Sequence, residues 1–234
     1  MKQNSPTISI IIPVLNEELQ IEALISYIRK NSNPQYIKEI LVVDGGSIDN
    51  TVSISQASGA TVLNSAQGRA SQQNFGAKHA IGEILYFLHA DTFPPSNFDI
   101  AIINAVSKNE LSGCFRMQFD SNSKFLKFFA WFTRLNFKIC RGGDQSLFIT
   151  KKLFNSLNGF NEDYIIYEDS EFISRLYSLN NFTVLPKQVT TSARKYEEKG
   201  MLRLQYHFSV IHIKNRLGKS PAELYQYYQK NIIN

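Results

Sequence analysis

The feature that most constrains this chain is an alternation of two kinds of segment through its first half. A short unbroken run of branched apolar residues is followed, across a polar loop, by a stretch with apolar residues at helical spacing. Ile8–Ile12 is the first run and stops at Pro13. A strand with no polar alternation is one buried on both faces, as in a parallel sheet. Ile21, Leu24, Ile25 and Ile28 then recur at helical spacing. Glu39–Asp44 (EILVVD) is the second run, ended by Gly45 and Gly46, and Asp49 or Asn50 can cap a helix running towards Ala57. A strand over Ala60–Leu63, a helix over Ala70–Ile81 and a strand over Ile84–His89 (ILYFLH) continue the series.

This alternation predicts an α/β fold with right-handed crossovers and a parallel sheet covered by helices on both faces. Ligands of such sheets bind beyond the carboxyl ends of the strands. The residues that matter most are therefore Pro13–Glu17, Asp44–Asp49 and His89–Thr92. The second half is less regular. It predicts a strand over Leu111–Phe119, an aromatic helix over Lys124–Lys138, a strand over Gln145–Ile149 and a helix over Asp169–Leu179. The tail from Met201 to Asn234 reads as two helices divided by Gly218 and Pro221, with Ser220 as a cap. Without internal repeats or a low-complexity linker, residues 1–200 are expected to form one domain and residues 201–234 a helical extension packed on it.

Composition narrows the partners. An apolar fraction of 43% supports a real core, and a formal net charge of +5 suits anionic ligands such as nucleoside diphosphates or anionic lipid headgroups. The basic residues form no long run and no zinc-finger or RNA-binding signature, which argues against nucleic acid. Cys114 and Cys140 lack metal-ligand spacing and read as reduced thiols of a cytoplasmic protein. The first apolar stretch is broken by Pro13 and followed by acids, unlike a signal peptide, and no uncharged run is long enough for a membrane helix. Any membrane contact is expected to be peripheral, at the inner face.

Four segments bring polar groups to one edge of the predicted sheet: IIPVLNE with Asn16 and Glu17, VVDGGSIDNT with Asp44, FLHADT with His89 and Asp91, and IIYEDSEF with Glu168 and Asp169. Each has a plain structural role open to it, since an Asp before Gly-Gly makes turns and acids favour a helix start. Together they supply what a nucleotide-sugar transferase needs. One carboxylate receives the nucleoside, a second binds a divalent cation beside the diphosphate, and a third takes the proton of an acceptor hydroxyl.

At these residues the chain resembles a family 2 glycosyltransferase of the GT-A type, over about Ile8 to Leu179. GEILYFLHADT resembles the segment ending in the metal-binding Asp-X-Asp, and YEDSEF resembles the element supplying the general base. The HADT motif, Gly143-Asp144-Gln145 and the segment Thr191 to Arg194 are similar to a bacterial subgroup labelled arsenosugar-biosynthesis or diaponeurosporenoate-type (carotenoid-acid) glycosyltransferases. The resemblance implies that Pro13, Asn16, Glu17 and Asp44 line a nucleoside pocket. Asp91 would bind Mn²⁺ or Mg²⁺, and Asp169, beside Glu168, would be the base of an inverting displacement. It favours a UDP-sugar as donor and a small or lipid-linked molecule as acceptor.

The departures from the family pattern are specific. His89 stands where the first acid of Asp-X-Asp is usual, and can ligate the cation or hydrogen-bond a phosphate. Gln73 stands where an Arg is common, and Arg69 can serve the diphosphate instead; Arg194 can contact phosphate as well. His79, His207 and His212 offer no ligand pair and read as core or surface residues. Sugar-1-phosphate nucleotidylyl transfer is the rival chemistry, but IIPVLNE has no glycine-rich phosphate loop. A non-catalytic nucleotide-sugar binder would not need Glu168-Asp169.

The stretch from Ser123 to Arg141 leaves two readings open. Phe125, Phe128, Phe129, Phe132 and Leu135 keep helical spacing, with Lys124, Lys127, Arg134, Lys138 and Arg141 interleaved. It is either an amphipathic helix packed on the core, or one bordering the acceptor cleft that meets lipid.

Overall fold

The computed structural model describes residues 5–233. Its first half follows the predicted alternation: β1 (Ile8–Val14), α1 (Ile21–Asn31), β2 (Ile37–Asp44), α2 (Thr51–Ala57), β3 (Thr61–Asn64), α3 (Arg69–His79) and β4 (Ile84–Phe87). All three pairings among these strands are parallel. Val14 lies beside Asp44 and Asp44 beside Asn64, so the loops after these strands open on one sheet edge.

The chain continues through β5 (Thr92–Phe93), α4 (Phe98–Ser107), β6 (Ser112–Phe119), α5 (Lys124–Trp131), β7 (Leu147–Thr150), α6 (Lys151–Ser156), α7 (Glu168–Ser178) and β8 (Thr183–Thr191). It ends in α8 (Arg194–Lys199), α9 (Met201–Arg216) and α10 (Pro221–Tyr228). The sheet order is β3-β2-β1-β4-β7-β6-β8-β5. β7 runs antiparallel to β4 and β6, and β5 antiparallel to β8, while β6 and β8 are parallel. The mostly parallel α/β sheet is thus present, and each antiparallel joint involves β7 or β8 of the second half.

The unbroken apolar runs are explained by two cores on opposite sheet faces. Ile10, Ile12 and Val14 pack with Leu24, Ile25 and Ile28 of α1. Ile11, between them in sequence, packs with Ala70 and Ala77 of α3 and Phe172 of α7. Side chains alternate along a strand, so both sets must be apolar. Each such burial stabilises the fold by about 1.5–3 kcal/mol. α3 lies unusually close to the sheet: a Cβ at Gly76 would meet Ile11 Cγ2 at 2.6 Å and Val43 Cγ2 at 2.9 Å. That approach fixes the helix whose first residue is Arg69.

The aromatic stretch corrects its prediction. The helix stops at Trp131, and short 3₁₀ turns follow at Phe132–Arg134 and Lys138–Cys140. Thr133 Oγ1 donates to Ala130 O at 2.6 Å and accepts from Met117 N at 3.0 Å, which pulls the chain out of the helix and onto β6. The buried residues of α5 are Leu126 and Ala130, not the predicted phenylalanine stripe. Phe128 and Trp131 are 59% and 50% exposed.

The tail forms its own small cluster around Leu204, Ile211, Leu224 and Ile232. Ser220 caps α10 in a reciprocal capping box with Glu223, as its sequence predicts. Among the described residues no helix is long and apolar enough to cross a membrane.

Candidate active site

Two groups of polar residues meet at the carboxyl ends of the strands, and they are held in different ways. In the first, the loops after β1 and β2 are stitched to each other. Asn16, at φ 56°, accepts from Ile48 N through its Oδ1 (2.9 Å), while its own N–H donates to Ser47 Oγ (2.9 Å). Left-handed backbone is one that Asn tolerates better than most residues. Glu17 N donates to Thr51 Oγ1 at 2.8 Å. Asp44 is 4% exposed, and its Oδ2 accepts from Gly46 N (2.9 Å) and Ser47 N (3.0 Å). The turn role open to Asp44 is therefore realised. Beneath it, Gln72 Nε2 donates to both Val14 O and Val43 O at 2.8 Å, tying the ends of β1 and β2 together. Pro13 is buried at the end of β1.

Asp91 follows β4 and is fastened by the short ladder between β5 and β8. Thr92 pairs with Thr191, their hydroxyls lie 2.9 Å apart, and Ser192 N donates to Asp91 O at 3.2 Å. This ladder sets HADT beside the segment carrying Arg194, which is exposed. Burial, and then the Asp91 carboxylate, raise the Glu17 acid above its ordinary range, with Arg194 and Arg69 opposing. Glu17, Asp91, Arg69 and Arg194 thus share one electrostatic neighbourhood.

The second group is held by charge. His89 faces two acids at once, with Nε2 3.5 Å from Asp169 Oδ2 and Nδ1 3.5 Å from Asp144 Oδ1. Arg69 Nη1 lies 3.5 Å from Glu168 Oε1. Burial disfavours the imidazolium, but the Asp144 and Asp169 carboxylates facing its two nitrogens outweigh it and push His89 up to about 10. Glu168, fully buried at the start of α7, is pushed up to about 7 by burial and by the neighbouring Asp169 charge, against the pull of Arg69. Gly143 covers Asp169 so closely that a Cβ there would collide with its Oδ2.

The loop carrying Gly143 and Asp144 hangs on a residue whose role the sequence did not reveal. Arg141 is 4% exposed and donates to the carbonyls of Thr133 (2.8 Å) and Leu135, to Gln145 Oε1, and to Cys114 Sγ (3.3 Å). Gln145 Nε2 in turn donates to Cys140 O at 2.8 Å. Asp144 itself carried no assigned role in the sequence, because its partner His89 lies far away along the chain. The Gly-Asp-Gln resemblance was the one signal pointing to it.

Other expected residues lie elsewhere. Gln73 is 1% exposed, and its Oε1 has no hydrogen-bond partner among the described residues. His79 meets Phe75 O, His207 meets Tyr227 OH and His212 meets Tyr167 OH, so none joins the cluster. Two shallow surface concavities border α3 and α6, and neither is lined by a residue of the candidate site. Among the described residues, no three His, Cys, Asp or Glu side chains gather as a self-sufficient metal site.

Comparison with known proteins bears on the family and the fold. The model of the Glycosyl transferase family 2 matches residues 9–160. A stretch of 101 residues is 33% identical to Glycosyltransferase AglE of Haloferax volcanii, covering 40% of this chain and 33% of that protein. The chain therefore matches only about a third of that relative's length. Among solved structures, the mannosyltransferase PcManGT from Pyrobaculum calidifontis, in complex with GDP-Man and Mn²⁺, superposes with a TM-score of 0.70 at 19% identity. That likeness covers 98% of this chain and 69% of that one. Glucosyl-3-phosphoglycerate synthase from Mycobacterium tuberculosis, in complex with Mn²⁺, UDP and glucosyl-3-phosphoglycerate, gives 0.65 at 18% identity, covering 91% of this chain and 80% of that one. At such identities the likeness shows the fold, which is the GT-A type expected from the sequence.

Proposed function

The chain belongs to glycosyl transferase family 2, and from that premise we propose that it moves a sugar from a nucleoside diphosphate to an acceptor hydroxyl with inversion. UDP is the favoured nucleotide. The observation that carries this reading is the meeting of the two groups, one built around Glu17, Asp44 and Asp91 and the other around His89, Asp144, Glu168 and Asp169. A donor sugar held between them has its leaving diphosphate beside Arg69 and Arg194, and a carboxylate for the acceptor on the other side.

In this reading Asp44 and Glu17 receive the nucleoside, Pro13 and Asn16 shape its pocket, and the two arginines meet the diphosphate. Gln73, buried on α3, is assigned a supporting place rather than a donor contact. Asp169 takes the acceptor proton as the acceptor oxygen bonds to the anomeric carbon. The bond from that carbon to the diphosphate breaks, and its electron pair leaves with the nucleotide. Since Asp169 Oδ2 faces His89, Oδ1 is the oxygen left to receive the proton. Glu168 acts through Arg69 and not on the acceptor.

The donor set suits a divalent cation held mainly by the substrate. Mg²⁺ and Mn²⁺ commonly take one or two carboxylates and complete their shell with phosphate oxygens and water. Asp91 offers that one carboxylate. The expected second ligand, His89, fits less well, because both of its ring nitrogens face acids. When bound, the cation would neutralise charge on the departing diphosphate. The acceptor class, small or lipid-linked as in the subgroup sharing HADT, and hexosyl transfer belong to the same reading. So do work on the cytoplasmic side of a membrane and the division into residues 1–200 and 201–234.

A thermal-shift screen of nucleotide-sugars with Mn²⁺ and Mg²⁺ tests the proposal. At least one UDP-sugar is expected to raise the melting temperature in a metal-dependent way. No shift with any nucleotide-sugar would overturn it.

A further inference from the structure

The helix α9 has two apolar faces, and only one of them is covered. Leu204 and Ile211 face the tail cluster and are buried. Leu202, Tyr206, Ile213 and Leu217 recur at spacings of four, seven and four, which places them on one stripe of the helix. All four are at least half exposed. The first turn of α9 touches the first turn of α5 through Ser123 Oγ and Met201 Sδ, 3.2 Å apart. From that contact the second exposed apolar segment departs, with Phe128, Trp131, Phe137 and Ile139 also at least half exposed.

Charge says what such a surface suits. Ten of the chain's 25 Lys and Arg residues, of which Arg141 is buried, and none of its 20 Asp and Glu residues, fall within residues 121–143 and 199–222. The rest of the chain is therefore net acidic while these two segments are strongly basic. Lys124, Lys127, Arg134 and Lys138 are exposed around the aromatic segment, and Arg203 and Arg216 around the α9 stripe, while Lys219 is paired with Glu223 at 2.8 Å. A second copy meeting this surface about a two-fold axis would set basic residues against basic residues. Apolar side chains that insert, ringed mainly by cations, instead match the boundary of an anionic bilayer.

We propose that the outer face of α9 and the segment 124–140 dock together on an anionic lipid bilayer. This deepens the lipid-linked acceptor reading given above, but docking itself stands on these two segments and is tested with lipid alone. The two apolar strips sink into the headgroup boundary, and the lysines and arginines beside them meet lipid phosphates. Binding is then salt-sensitive, as expected for charge acting within a short screening length.

Co-sedimentation tests it, using the full chain and vesicles of phosphatidylcholine with about one-third phosphatidylglycerol. Wild type is expected to pellet with these vesicles, to bind those of phosphatidylcholine alone far less, and to be released by salt. Trp131→Asp and Leu217→Asp, at exposed positions on separate segments, are each expected to weaken partitioning about tenfold. Lys127→Glu with Lys138→Glu should do so without removing any apolar group. Circular dichroism melts check that each variant is folded. Wild type left in the supernatant, or apolar variants that bind as wild type does, would overturn the proposal. Self-association in the absence of lipid that Leu217→Asp abolishes, with no vesicle binding, would overturn it in favour of a contact between copies. A nucleotide thermal shift alongside separates failure of docking from failure of the transferase reading.

Discussion

The two groups of this site, proposed to serve the donor and the acceptor, use the same residue types but are secured differently. On the donor side Asn16, Asp44 and Asp49 spend their side-chain oxygens on backbone N–H groups within the loops. These contacts are local and short, and they set the loops before any ligand arrives. On the acceptor side Asp144, Asp169 and Glu168 face the side-chain cations His89 and Arg69, each at 3.5 Å. Charges so placed can exchange partners when a sugar and an acceptor enter. The contrast teaches that the group proposed to receive the donor is set by backbone contacts, whereas the group proposed to face the acceptor is a balance of ionisable groups.

Four expected outcomes sharpen that contrast. Asp169→Asn should lower turnover about a thousandfold, the contribution of a positioned general base. Rates measured at saturating donor check this, and full activity would reassign the base. Gly143→Ala should come next, with turnover about a hundredfold lower, because a Cβ there forces Asp169 out of place. Its donor affinity should not change, and a KM-against-kcat split decides the matter. Asp44→Ala breaks the donor side instead. It leaves the Gly46 and Ser47 N–H groups without their carboxylate, which should destabilise the fold by about 2 kcal/mol. Urea unfolding with and without nucleotide would show it.

The smallest effect is one of pH. His89 is raised in the folded chain from 6.5 to about 10, so its contribution to stability is whole below 6.5 and is lost as pH rises through about 10. Wild type should therefore lose melting temperature across that window more steeply than His89→Asn. Parallel curves would mean that the imidazolium does not hold the acids together.

The two halves also differed in how far they could be read in advance. Unbroken apolar runs such as Ile8–Ile12 and Glu39–Asp44 announce buried parallel strands, and the acids after them fall at the carboxyl ends of those strands. β8 gave no such signal, because Pro186 and Lys187 interrupt it. The pairing passes from Phe115 with Leu185 to Arg116 with Gln188, so those two residues bulge out of the ladder. Arg141 was read with the other interleaved cations of an aromatic helix. It is instead buried, holding carbonyls of the very turns that end that helix. The link between His89 and Asp144 depends on how the second half folds back, which no local pattern encodes.

Calorimetric titration of UDP in Mn²⁺ into wild type, Asp91→Asn and Asp169→Asn tests the separation of donor and acceptor sides most directly. Metal-dependent binding to wild type is expected, with nearly the same affinity in Asp169→Asn and affinity lower by about tenfold in Asp91→Asn. Loss of binding in Asp169→Asn as large as that in Asp91→Asn, or no UDP binding by wild type, would contradict that separation.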